Sequence, residues 1–144
     1  SVAELQQLPG ADLADPYAVG ALFVAALARY PQDKAAALEM FAFLKGAPLS
    51  PYKQSFVADR VAGKDYLPYS YMAGATPANG YVAAEPYVIK VADNPYSKVD
   101  ASNLKLYLKS SGADSPRPVM VQKRDGKWYL NDEMLLADIR KPQL

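Results

Sequence analysis

The chain contains no cysteine and no histidine. Without cysteine there is no disulfide frame, no thiolate nucleophile and no Cys-ligated metal. Without histidine, Ser-His-Asp and Cys-His catalysis are impossible, and so are zinc sites of the HExxH kind. Long hydrophobic runs are missing as well. The longest apolar stretch, AVGALFVAALA at residues 18–28, has 11 residues, whereas a membrane helix needs about 20. The preceding ELQQLPGADLADPY lacks the basic start of a secretory signal. An excess of one charge is absent too: 16 Lys and Arg face 15 Asp and Glu, for a net charge of +1. A nucleic-acid surface normally shows a clustered basic excess, and none is visible. These absences lead to the expectation of a cytoplasmic protein with no membrane and no nucleic-acid partner.

What is present is ample material for a core. Of 144 residues, 51% are hydrophobic, enough for one domain without staples. Residues 1–14 show little periodicity and read as a loose arm, followed by a single domain over 15–144. The chain opens on Ser1 rather than Met, which fits removal of an upstream piece. From Pro16 the pattern is helical, with Val19, Leu22, Phe23, Ala26, Leu27 and Tyr30 along one face. Asp15 and Pro16 form a natural start. A second helix reads PQDKAAALEMFAFLKG, with Leu38, Phe41 and Leu44 as its stripe and Gly46 as its stop. A third restarts at Ser50-Pro51, points Phe56, Val57 and Val61 inward, and ends at Gly63.

The segment KDYLPYSYMAGATPANGYVAAEPY, opening at Lys64, holds too many prolines and glycines for a long element. A short helical turn near Tyr69–Met72 and successive turns at Gly74 and Asn79-Gly80 are expected. Alternation then predicts strands: Tyr87, Ile89 and Val91; Leu104, Leu106 and Leu108; Val119 and Val121; and KWYLN after the hairpin signal Asp125-Gly126. Asn131 is read as the cap of a last helix, DEMLLADI, with Asp132 and Glu133 in its first turn. The layout is α+β: three N-terminal helices packed on a four-stranded antiparallel meander, with a short C-terminal helix.

Two loops stand out as candidate sites. In SSGADSPRPVMVQKRDGKWYL, seven residues make a connection where two would reverse the chain. Asp114 and Ser115 favour a turn, and Pro116 and Pro118 stiffen the arch around Arg117. The plainer reading is a rigid hairpin in which Arg117 pairs with Asp114 or a neighbouring carboxylate. The functional reading is an Arg117 pre-organised to grip a carboxylate or phosphate. In GATPANGY, Asn79 tolerates left-handed geometry, and no GK[ST] follows to make a phosphate loop. Tyr71 and Tyr81, among 11 tyrosines, suit either a partner-binding patch or half-buried packing. The carboxylates Asp59, Asp65, Glu85, Asp93, Asp100, Asp132, Glu133 and Asp138 show no metal-ligand spacing, and Lys53 and Ser55 do not form an SxxK motif. No metal or cofactor is implied.

YSYMAGATPANGY and SSGADSPRP…GKWYL resemble the signature stretches of a bacterial family of uncharacterised proteins, a domain of unknown function found mainly in gut-associated anaerobes. That resemblance implies a bacterial cytoplasmic protein and carries no catalytic residue with it. Helices followed by a meander ending in DGKWYL also resemble NTF2-like, or cystatin-like, rolls, which implies a conical pocket between helix and sheet. Fold alone does not decide function there. The missing residue types favour a non-enzymatic binding or protein-interaction module using the 111–118 loop and the tyrosine-rich 66–87 segment, engaging a protein partner or itself. The alternatives are a small-molecule pocket enzyme or binder using Asp, Glu or Tyr, and a structural domain of a larger chain.

Overall fold

The computed structural model describes residues 2–143. Local chemistry fixes its three main helices, α2 (Pro16–Arg29), α3 (Lys34–Lys45) and α4 (Pro51–Val61), which follow a short α1 (Val2–Leu5). The Asp15 carboxylate accepts from the Tyr17 N–H at 2.9 Å, Asp33 from the Ala36 N–H at 3.1 Å, and the Ser50 hydroxyl from the Lys53 N–H at 3.1 Å. Each cap satisfies an amide that has no partner inside its helix. Proline occupies the first position of α2 and α4, where no N–H is needed. Gly46 ends α3 at φ 77°, and it must also stay small, because a Cβ there would lie 2.9 Å from Tyr129 Cδ1. Short 3-10 turns at Pro68–Tyr71 and Pro77–Asn79 occupy the proline-rich segment.

The sheet comprises β1 (Val91–Ala92), β2 (Lys98–Asp100), β3 (Asn103–Leu108), β4 (Arg117–Arg124) and β5 (Lys127–Glu133), all antiparallel. β1 and β2 both pair with β3, at opposite ends, through Val91↔Leu108 and Lys98↔Leu104. They therefore act as one interrupted edge strand, and the sheet has four lanes. Asp125 and Gly126, at φ 51° and 77°, turn β4 into β5. Positive φ at both positions matches the right-handed strand twist that a tight hairpin needs.

Leu106, Leu108, Val119, Val121 and Leu130 line the buried face of the sheet. α2 crosses that face and touches β1, β3, β4 and β5. Gly20 brings it close: a Cβ there would stand 2.9 Å from Leu108 Cδ1. Phe23 and Phe41 join α2 to α3 with ring centroids 4.9 Å apart. Each such buried side chain contributes about 1.5–3 kcal/mol. A pocket of about 80 Å³ lies beside β5.

Three expectations are corrected. The N-terminal stretch is not a loose arm, since Leu5, Ala11 and Leu13 belong to the core. Tyr87–Lys90 do not pair with the sheet, because the Val88 carbonyl instead accepts from the Ala73 N–H at 2.9 Å. The C-terminal helix does not form. β5 continues through Asn131, Asp132 and Glu133, and residues 134–143 follow as an irregular strap. Leu135, Leu136 and Ile139 anchor that strap in the core. Among the described residues no helix is long and apolar enough to cross a membrane.

Candidate functional site

The strap explains the long 110–118 connection. Arg140 donates its backbone N–H to the Gly112 carbonyl at 2.9 Å, and its Nη1 meets Asp114 Oδ1 at 2.6 Å. Gly112 is required for the approach: a Cβ there would fall 2.2 Å from Tyr81 Oη and 2.9 Å from Ile139 Cγ2. Arg117 does not pair with Asp114. It donates from Nη2 to the Ala137 carbonyl at 2.9 Å, and from Nη1 to Ser115 Oγ at 3.1 Å. Tyr71 donates to the Leu135 carbonyl and Tyr81 to the Arg140 carbonyl. A strap without regular structure has no ladder to satisfy its carbonyls, so side chains must do it.

Five of the six sequence-derived candidates, Tyr71, Tyr81, Asp114, Ser115 and Arg117, thus converge on one clasp. Tyr71 and Tyr81 are buried, and burial pushes both hydroxyls above the usual tyrosine range, which keeps them neutral donors. Tyr81 has φ 60°, a costly conformation for a bulky residue, and is fixed there by stacking on Tyr66 with centroids 5.3 Å apart. Asn79 lies apart from the clasp and is exposed. Its side chain bonds the Thr76 and Val82 amides and the Gly74 and Val82 carbonyls, closing the GATPANGY loop on itself. Asp114 and Ser115 are exposed, and each is engaged by an arginine of the same chain.

A second polar place was not visible in the sequence. Between β4 and β5 the register pairs Met120 with Asp132 but Val121 with Leu130, so Asn131 is an extra residue, a bulge. Strand alternation from Leu130 would send Asp132 inward. The bulge moves the phase by one and sends Glu133 inward, opposite Val119. The Glu133 side chain is only 2% exposed, and neither carboxylate oxygen has a hydrogen-bond partner. Lys53 Nζ stands 3.7 Å from Oε2, an ion pair longer than a charge-assisted hydrogen bond. Burial raises the Glu133 carboxyl above its ordinary range and the neighbouring Asp132 adds to the rise, while Lys53 and the Leu135 backbone N–H oppose it without cancelling it. The carboxylate lines the 80 Å³ pocket together with Phe23, Leu49, Val57 and Leu130, with Lys45 and Asp132 also in its wall. Among the described residues no three acidic side chains gather as a metal site.

A third feature is apolar. Ala18, Ala21, Ala25 and Ala28 recur at helical spacing along α2 and floor a groove of about 420 Å³. One wall is Leu8 and Pro9, and the other is Tyr69, Met72, Tyr87 and Ile89. Tyr69 and Tyr87 meet edge to face, their centroids 6.2 Å apart. Leu8 and Tyr87 are 40% and 54% exposed, so apolar surface continues onto the rim.

The chain belongs to the family described as Domain of unknown function (DUF6935), which it matches over residues 1–143. No curated protein and no solved structure matches it.

Proposed function

We propose that this chain is a non-enzymatic binding module whose groove along α2 receives an uncharged apolar segment of a protein partner. The observation that carries the reading is the groove's chemistry. None of its lining residues is Asp, Glu, Lys or Arg, and its polar side-chain atoms are the hydroxyls of Tyr69 and Tyr87. A complementary segment therefore buries no charge, since an unpaired charge would be too costly in such a place. The alanine floor from Ala18 to Ala28 runs about 15 Å at the rise of a helix. A strip of that length and one helix wide, about 10 Å, covers on the order of 150 Å², far short of the roughly 800 Å² per partner typical of two folded surfaces. It suits one helical or extended segment laid along α2, with the backbone brought close by the small side chains. The tyrosine-rich 66–87 segment contributes the wall, while the 111–118 loop supports the fold behind it. The absence of histidine and cysteine supports binding over catalysis. The likeness to proteins of gut-associated anaerobes supports a bacterial, cytoplasmic setting.

The test is a random-peptide display selection on the folded chain, with Ala25→Arg as counter-selection. Ala25 is half-buried on the groove floor, and thermal melting checks that the variant folds. Enriched peptides should share an uncharged apolar stretch and bind the variant at least tenfold more weakly. No enrichment, enrichment of charged peptides, or equal binding to the variant overturns the reading. So would saturation of the groove by a small apolar dye when no peptide competes for it.

A further inference from the structure

We propose that the pocket between α4 and β5 binds a small zwitterion, a molecule with one ammonium and one carboxylate on a few heavy atoms. The site is built rather than incidental. A strand bulge is spent on turning a carboxylate, instead of an apolar side chain, into the core opposite Val119. Both oxygens of Glu133 are left without hydrogen bonds although the side chain is 98% buried by its 2% exposure. Buried polar atoms are nearly always satisfied in folded proteins, so an unmet carboxylate beside open space points to a missing donor. An ammonium supplies three donors, and Glu133 has room for them on Oε1 while Lys53 stays at 3.7 Å from Oε2.

The charges of the wall narrow the choice. Its ionisable groups are Lys45 from α3, Lys53 from α4, and Asp132 and Glu133 from β5. Two positive groups oppose two negative ones, so the wall is balanced. A bare cation would be drawn to Glu133 and repelled by both lysines. A bare anion would meet the reverse. A molecule carrying both signs places its ammonium on Glu133 and its carboxylate on Lys53, and neither end faces a like charge alone. Size narrows it further. About 80 Å³ has room for several water-sized groups at about 10–15 Å³ each, which suits a ligand of a few heavy atoms such as glycine or alanine. Phe23, Leu49 and Val57 offer an apolar wall to a short side chain. Lys53 is suited to this task because its ammonium also rests 4.9 Å from the centre of the Phe56 ring, which limits its wandering.

The experiment is a titration of the folded chain followed by backbone NMR shifts, using glycine, alanine, methylamine and acetate as separate probes. Glycine or alanine should give saturable shifts around Lys53 and Glu133, and methylamine and acetate should each bind at least tenfold more weakly. Glu133→Gln should weaken the amino acid at least tenfold, and Lys53→Met should do the same from the other end. The thermal midpoint of each variant shows whether it is folded. The proposal fails if neither amino acid saturates where a Kd of about 1 mM would be filled. It fails also if methylamine binds as tightly as glycine, which would make the pocket a plain cation site, or if folded Glu133→Gln binds unchanged.

Discussion

Arg117 and Glu133 are both ionisable residues in neighbouring strands of one sheet, yet their surroundings differ in one respect. Arg117 spends Nη1 and Nη2 on oxygens of its own chain, and only its Nε lacks a partner. The two carboxylate oxygens of Glu133 have no hydrogen-bond partner, only the 3.7 Å ion pair with Lys53, and they face open volume. The first arrangement is what a fold needs from a polar side chain, since its donors stand in for a missing backbone ladder. The second costs the fold free energy and leaves chemistry unspent. Saturation, more than residue type, separates structural polar groups from those available to a ligand. By that measure the arch around Arg117 is part of the scaffold and the bulge at Asn131 is the place to look.

The largest effect that sharpens this contrast belongs to Gly112→Ala. The new methyl would overlap Tyr81 Oη and press on Ile139 and the Arg140 backbone. Gly112 is buried and its neighbours are backbone or locked side chains, so little can give way. Overpacking of this kind typically costs about 1–3 kcal/mol, and urea unfolding should place Gly112→Ala toward the upper end. A variant as stable as the parent would mean that the strap is not clasped as described, and the division between the two regions would fall.

How far these regions could be read in advance depends on the range of the forces that make them. α2, α3 and α4 are legible because Asp15-Pro16, Ser50-Pro51 and Gly46 act on amides and carbonyls a few residues away. The Asp125-Gly126 hairpin is legible for the same reason. The C-terminal stretch is misleading because it offers good helical signals for another purpose. Asn131 resembles a cap, and Leu135, Leu136 and Ile139 fall at helical spacing. They are spaced to pin an irregular strap onto the core. Pairing with β4 overrides the local preference, and the bulge that turns Glu133 inward depends on Val119 and Val121 across the sheet. No neighbour in sequence announces it. Arg117 is recognisable as constrained, but the acceptors of its Nη2 are carbonyls some twenty positions away, and carbonyls leave no mark on a sequence.

A middle-sized effect tests the other side of the contrast. The Glu133 carboxyl is raised in the folded state by burial and by Asp132, with Lys53 and the Leu135 backbone N–H opposing. A raised carboxyl means that the folded chain holds a proton more tightly than the unfolded one. Stability from this group is therefore full below the unfolded carboxyl pKa, about 4.3, and declines as pH rises through the higher folded value. Glu133→Gln removes that decline. At neutral pH the variant should be more stable than the parent by about 1 kcal/mol, on the scale of one unmet buried group, or roughly 2–4 °C in thermal midpoint. Near pH 4 the two curves should meet. A constant gap across that range would show that the carboxylate is not the source of the difference.

The smallest expected effect is the most discriminating for the arch. Asp114→Ala deletes the 2.6 Å contact with Arg140, the shortest ion pair of the clasp. Yet the Asp114 side chain is 95% exposed and that of Arg140 47% exposed, so water replaces the carboxylate at little cost, and such surface pairs contribute little. Arg140 keeps its backbone bonds to Gly112 and Tyr81, and its Nη2 still reaches the Ser111 carbonyl at 3.3 Å. The unfolding midpoint of Asp114→Ala should therefore match the parent within error, at low and at high salt alike. A clear loss that shrinks as salt is added would make the ion pair, not the backbone and the tyrosine hydroxyls, what keeps the strap closed. Asp114 would then belong with the costly buried groups despite its exposure, and saturation alone would no longer distinguish the two regions.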